Sequence, residues 1–210
     1  MSGISSIGLG NMAGALADRA LAGGNAVEII GRDPAKAKEL AAALGGATVG
    51  TAGAAPAGDI VILAVPYAGA AAVVSEYGDA LDGKVIIDIT NPVSPDFKGF
   101  VTPEGSSGAQ EIAKAVPAGA HVVKAFNTLF FNVLAAGPAD GRPLDVFIAG
   151  DDAQAKTRVS AFIESLGLRP MDIGQLPMAR TLENVGLLMM GLVTHSVNHT
   201  SFFLGVSILS

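Results

Sequence analysis

The chain has 210 residues, half of them hydrophobic and 15% charged, which fits one large domain with an extensive buried core. It has no cysteine, and this excludes disulfides, thiolate metal sites and cysteine nucleophiles. Its net charge of -6, with no long basic block, argues against nucleic-acid binding.

The opening "MSGISSIGLG" lacks the basic and long apolar regions of a signal peptide. An apolar strand is expected at 4–7, then a cluster of glycines, then an alanine-rich helix at 11–22. A second strand follows at 26–30 and a helix at 34–44. "DIVILAV" (59–65) is continuously apolar, as strands buried on both faces are. A helix at 67–78 and a strand at 84–89 come next. Residues 91–108 read as a loop rich in Pro, Gly and Ser, leading into a short helix near 109–116. Strands are expected at 121–127, 144–150 and 169–174, with a helix at 151–167 that has an Asp cap and a Gly stop. One final, mostly apolar helix is expected at 177–198, and the apolar tail 201–210 fits no single pattern.

Strands alternating with helices imply a Rossmann-type α/β fold: a doubly wound, mainly parallel sheet with a C-terminal helix and apolar tail. The expected division is a nucleotide-binding domain at 1–175 and a C-terminal segment at 176–210. The stretch "VGLLMMGLV" is too short and too soon interrupted to span a membrane. A cytoplasmic protein without membrane contact is therefore expected.

The glycine cluster reads G-x-G-x-x-A at Gly8, Gly10 and Ala13. In this strand-to-helix context Gly8 permits the tight turn, Gly10 lets a pyrophosphate approach the backbone, and Ala13 lets the helix lie close to the sheet. The free amides of the helix start then face the anion. An ordinary tight turn is the bland alternative. At the end of the second strand, where an NAD site carries Asp or Glu, stands Gly31, followed by Arg32 and Lys36. No carboxylate and two cations suit the 2'-phosphate of NADP. Asp33 before Pro34 reads as a helix cap. The alternative is that Arg32 and Lys36 are merely solvated surface cations.

Three more stretches, "ILAVPY" (62–67), "IIDITNP" (86–92) and "VVKAFNT" (122–128), lie at C-terminal ends of expected strands, where open α/β sheets bind ligands. With "GLGNMAGALA", "IIGRDPAKA" and "GQLPMARTLE", they make the chain resemble the NADPH-dependent reductases of the deazaflavin coenzyme F420. The same motifs are similar to the NADPH-binding domain of the STEAP metalloreductases. The resemblance runs to about residue 183. It implies a small Rossmann dimer that moves a hydride between NADPH and a small-molecule acceptor, coenzyme F420 or a flavin. It also implies that Gly8, Leu9, Gly10, Asn11 and Met12 hold the pyrophosphate and Arg32 the 2'-phosphate. Val65, Pro66 and Tyr67 would lie along the ribose and nicotinamide. Asn91, Pro92, Ala125, Phe126 and Asn127 would floor the nicotinamide pocket. Leu9 stands where some deazaflavin reductases carry Thr, and the loop after Pro92 also departs from the family's pattern.

Hydride transfer between stacked rings needs position and dry walls rather than a strong acid or base. Ketone or imine reduction needs a proton donor, for which Tyr67, His121, Lys124, His195 and His199 are candidates. No lysine follows Lys156, which argues against a hydroxyacid dehydrogenase with its catalytic lysine on a later helix. Lys124 lies in an apolar strand, so its ammonium must find a partner or reach the strand end, and a structural or pocket-polar role is favoured over a catalytic one. His121 reads as an exposed edge residue. His195 and His199, four apart, would share one helical face, but no third metal ligand is in view, and no metal site is expected. Asp88 and Asp172 receive no role. Met189 and Met190 with Phe202 and Phe203 would either wall a flat ring or pack the core, the commoner use. An all-round apolar helix with an apolar tail needs cover, which suggests a homodimer through 177–198 and the tail, unless the tail folds back on its own domain.

Overall fold

A computed structural model of the chain describes residues 3–138 and 141–209. The strands are β1 (Gly3–Ile7), β2 (Ala26–Ile30), β3 (Thr48–Val49), β4 (Ile60–Leu63), β5 (Val85–Asp88), β6 (His121–Lys124), β7 (Asp145–Gly150) and β8 (Arg169–Asp172). The helices are α1 (Asn11–Ala22), α2 (Pro34–Leu44), α3 (Tyr67–Tyr77), α4 (Gly108–Ala113), α5 (Phe131–Ala136), α6 (Ala153–Ser165) and α7 (Ala179–Leu192). The eight strands lie in the order β3-β2-β1-β4-β5-β6-β7-β8. All neighbours are parallel except β6 and β7, which run antiparallel. This is the expected doubly wound, mainly parallel sheet.

The central strands are apolar because both of their faces are covered. Ile60, Val61, Ile62 and Leu63 of β4 are all buried, as are Val85, Ile86 and Ile87 of β5. Successive residues point to opposite faces and so divide between two cores. Ile62 and Ile87 join Leu16, Ala20 and Phe162 on one side. Val61, Leu63 and Ile86 join Val74, Leu81 and Ile112 on the other. The chain order reverses between β1 and β4, which both pair with their neighbours in register, and this places the topological switch point beside the first glycine turn.

Several expected elements differ in detail. Strand β3, two residues long, and the one-and-a-half-turn helix α5 were not expected, because neither is long enough to show a period. The expected helix at 177–198 is three pieces: a 3-10 turn at Leu176–Met178, α7, and a wider π-turn at Val193–Val197. Asn198, at φ 62°, ends it. His195 and His199 therefore do not share a helical face, and His199 Nδ1 accepts from the Ser201 amide. Within the single chain α7 is covered on only part of its surface, and Leu188 is 54% exposed.

The tail lies partly on its own domain. The Phe202 ring packs edge-on against Phe130, and Ser201 Oγ accepts from Asn132. The Val206 amide donates to Asp145, and Arg169, paired with the same carboxylate, donates to the Val206 carbonyl. Beyond that clasp Ile208 and Leu209 are exposed. Ser210, also part of the expected tail, lies outside the described residues. Among the described residues no helix is long and apolar enough to cross a membrane.

Candidate functional site

Gly8 and Gly10 do different work. Gly8 has φ +136°, and a Cβ there would sit 2.1 Å from the Ala64 carbonyl oxygen of the chain leaving β4. Its missing side chain lets two strand ends close together. Gly10 has ordinary extended geometry as the cap of α1, and a Cβ there would meet nothing within 4 Å. The space above it is open. No side chain caps α1, so its first amides stay uncommitted at that opening. Helix α3, begun by Pro66, likewise has no side-chain cap.

A cleft of about 420 Å³ opens over this turn, lined by Gly8, Leu9, Gly10, Gly31, Arg32 and Lys36, with Ala52, Glu76 and Tyr77 on the far wall. Asp33 caps α2 as expected, accepting from the Ala35 and Lys36 amides. That leaves the Arg32 and Lys36 side chains as the cleft's cations. Gly31 has a second reason to be glycine: a Cβ there would lie 2.5 Å from the Leu9 side chain. Leu9 thus occupies the space where a carboxylate at position 31 would start. Asn11 and Met12 do not line the cleft; Asn11 is exposed and Met12 packs on the core.

A second cleft of about 370 Å³ continues past Val65 and Pro66, which line both. Tyr67, Ala68, Thr90, Asn91, Pro92, Val93 and Val101 complete it. The Tyr67 phenol is held above its ordinary pKa by burial first, then by Glu111, Glu183 and Asp88, so it remains a donor at neutral pH. Asn127 lies beside this floor. Its amide nitrogen donates to Asn91 Oδ1 and to the Leu182 carbonyl, both at 2.9 Å, and Asn91 donates back to the Asn127 carbonyl. The Asn127 side-chain oxygen, Oδ1, is buried without a partner. Ala125 and Phe126 are core residues, Phe126 packing edge-on against Phe162, so their side chains do not face the cleft.

Beneath the second cleft lies a buried charge cluster whose parts the sequence did not join. Lys124 at the end of β6 is in register with Asp88 at the end of β5. Its ammonium donates to Asp88 Oδ2 at 2.8 Å, to the Thr90 carbonyl, and to Glu183 Oε1 of α7 at 3.2 Å. All three side chains are fully buried. Asp88 Oδ1 accepts from the Thr90 amide, and Glu183 Oε1 also accepts from the Gly108 amide. Burial raises the Glu183 pKa, and Asp88 adds to the rise, while Lys124 and the Gly108 amide oppose it. The Lys124 ammonium thus finds the partners its apolar strand demands. His121 is exposed, as expected of an edge residue. Met189 is buried, and Phe202 and Phe203 lie over α5, so none of these walls the Val65–Pro66 clefts. Among the described residues no group of three or more His, Cys, Asp or Glu could hold a metal ion.

The arrangement fits a dinucleotide: an open phosphate cradle, two uncapped helix starts, a pair of cations at one end and, at the other, a mostly apolar pocket into which Tyr67, Thr90 and Asn91 bring polar groups. Comparison with known proteins points the same way. Residues 3–92 match the family model described as NADP oxidoreductase, coenzyme F420-dependent. The chain is 32% identical over 174 residues to the F420-dependent NADP reductase of Methanothermobacter marburgensis, covering 79% of this chain and 72% of that one. It is also 32% identical over 181 residues to the metalloreductase STEAP3 of Rattus norvegicus, covering 86% of this chain but only 36% of that much longer protein. A solved structure from Arthrobacter sp. FB24, named for a proposed F420-dependent NADP reductase activity, superposes with a TM-score of 0.85 at 25% identity, over 98% of this chain and 99% of that one. The chain belongs to the family of coenzyme F420-dependent NADP oxidoreductases.

Proposed function

We propose that the protein is an NADPH-dependent oxidoreductase that passes a hydride between NADP(H) and a deazaflavin of the F420 type. The observation that carries this reading is the pair of clefts sharing Val65 and Pro66. One has the cradle and cations for a phosphorylated nucleotide, and the other has mostly apolar walls with Tyr67, Thr90 and Asn91 among them, suited to a nicotinamide and a second flat ring. In this reading Arg32 and Lys36 hold the 2'-phosphate, Gly10 and the start of α1 the pyrophosphate, and Tyr67, Asn91 and Asn127 the nicotinamide end. NADPH supplies the hydride when bound; the protein supplies distance, orientation and exclusion of water. Residues 1–175 bind the cofactor in this account, and 176–210 brace the acceptor side and carry the subunit contact.

The test is rapid mixing of the protein and NADPH with F420, flavin mononucleotide or ferric citrate. Loss of F420 absorbance matched by NADPH oxidation is expected. Oxidation with ferric citrate alone would favour a metalloreductase, the second reading, which the likeness to STEAP3 supports. Tight NADPH binding with no transfer to any acceptor would indicate a sensor of NADP(H).

Two substitutions test the two ends of the cleft. Arg32→Ala will raise the KM for NADPH at least about tenfold through loss of a charge-assisted contact, and leave that for NADH nearly unchanged. Asn127→Leu removes a buried polar anchor, so turnover will fall by about 1–3 kcal/mol of barrier while NADPH still binds.

The protein acts as a homodimer in this account. Leu188 of α7 and Ile208 and Leu209 of the tail are 54%, 83% and 92% exposed, apolar side chains that the single chain leaves uncovered and a second copy would bury. Light scattering at micromolar protein is expected to give twice the 21.0 kDa chain mass. Removal of 202–210 will weaken association and leave NADPH binding intact. A single-chain mass for the full-length protein would refute the dimer.

A further inference from the structure

The Lys124–Asp88–Glu183 cluster lies outside both clefts, and hydride transfer does not call on it. It carries two carboxylates against one ammonium, so with all three ionised it bears a net negative charge in a fully buried place. Buried ion pairs seldom stabilise a fold more than apolar packing does, so stability alone is a weak account of it. Its hydrogen bonds lead to the nicotinamide end. Lys124 and Asp88 hold the carbonyl and amide of Thr90, and Thr90 and Asn91 line the second cleft. Two further atoms here, Glu183 Oε2 and Thr90 Oγ1, are buried without a partner. An unpartnered, buried carboxylate oxygen is where a proton is retained most readily.

The oxidised nicotinamide ring carries a positive charge and the reduced ring carries none. We propose that Glu183 is a positioning residue that senses this difference: it holds a proton when the cleft contains NADPH and releases it to solvent when the cleft contains NADP+, so that the cluster turns negative under the positive ring. The inference rests on the placement of the nicotinamide given above. The proton balance is simple, since one carboxylic acid becomes one carboxylate and the proton passes to the buffer. Burial and Asp88 shift Glu183 upward, which favours its protonated form, against the opposing pull of Lys124 and the Gly108 amide. The charged groups on the elements packed against α7 have partners of their own. Tyr67 of α3 shares the crowded space at Gly108 with Glu183. Glu111 of α4 is bound to Lys114 and Ser106. Arg180, one turn earlier on α7, is bound to Thr102 and the Ser106 carbonyl. Asp145 of β7 is paired with Arg169, and Asp151 accepts from the Leu176 amide.

The test is calorimetric titration of the full chain with NADP+, NADPH and adenosine 2',5'-bisphosphate, in buffers of different ionisation enthalpy, across about pH 5–8. NADP+ binding will release a proton that binding of NADPH or of the nicotinamide-free bisphosphate does not. In Glu183→Gln that release will vanish, and the preference for NADP+ over NADPH will shift by at least about fivefold, with the bisphosphate affinity unchanged. A cluster that only braces α7 would move all three affinities together or none. Equal proton counts for NADP+ and NADPH in the unsubstituted protein would overturn the proposal without recourse to any variant. Bisphosphate binding with no added affinity from the nicotinamide would instead overturn the nicotinamide placement, and failure of all three ligands to bind would overturn the function itself.

Discussion

Gly8→Ala will lower stability by more than about 3 kcal/mol and abolish NADPH binding, whereas Gly10→Ala will abolish binding and leave stability within about 0.5 kcal/mol. The two glycines stand in one motif, yet their surroundings differ. At Gly8 the backbone is at φ +136°, which an L side chain rarely adopts, and the added carbon would lie 2.1 Å from a main-chain oxygen that cannot swing away. The cost is strain plus separation of the β1 and β4 ends. At Gly10, with φ -82°, the added methyl enters empty space and strains nothing. It fills the room a pyrophosphate needs. Urea unfolding midpoints and titration with NADPH on the same preparations will separate the two effects. If Gly10→Ala retained full affinity, the phosphate would not lie over the start of α1.

Lys124→Met will destabilise the fold by about 3–5 kcal/mol, because it leaves Asp88 and Glu183 buried against each other with no cation. Its dependence on pH has a definite sign. Glu183 already has a folded pKa above its ordinary value of 4.5, from burial first. The folded state therefore binds the proton more tightly than the unfolded state. Stability from this group is fully present below 4.5 and is lost as pH rises through the higher folded value. Removing Lys124 takes away the largest influence opposing the rise, so the window widens upward. The variant will be closest to the parent in mildly acidic solution and furthest from it at neutral pH. Adding Glu183→Gln to Lys124→Met will restore part of the loss and flatten the slope. Thermal melts at several pH values check both; a penalty independent of pH would show that Glu183 is not the group left uncompensated.

Much of the fold was legible because its signals are local. The apolar runs of β4 and β5, the Asp33–Pro34 cap of α2 and the glycine turn each reside in a few adjacent residues. What escaped was either too short to carry a period, as with β3 and α5, or dependent on pairing across the sheet. Lys124 announced its need for a partner by standing in an apolar strand. Its partners became visible only once β5 and β6 lay side by side and α7 crossed their ends. The sequence placed Gly31 correctly at the end of β2 but attributed its meaning to a missing carboxylate. The neighbouring Leu9 side chain supplies the physical reason, since it fills the space such a side chain would need. Ala125 and Phe126 were expected on the pocket floor by resemblance. They lie inside the core, where alternation along a strand end and the φ of 61° at Phe126 direct them. The final helix ends where the pattern predicts, at Asn198, but it is not one regular helix: a 3-10 turn opens it and the backbone widens into a π-turn at Val193–Val197, changes that an apolar run does not signal.

In the proposed reaction a hydride passes directly from NADPH to a second ring across the cleft bounded by Val65, Pro66, Thr90 and Asn91. The most direct measurement is a single-turnover reaction with NADPH carrying deuterium at the transferable position, with the reduced deazaflavin then examined by mass spectrometry. The product is expected to retain the deuterium, delivered from one face of the nicotinamide only. Reduced deazaflavin without label, or NADPH left unconsumed beside oxidised deazaflavin, would contradict it.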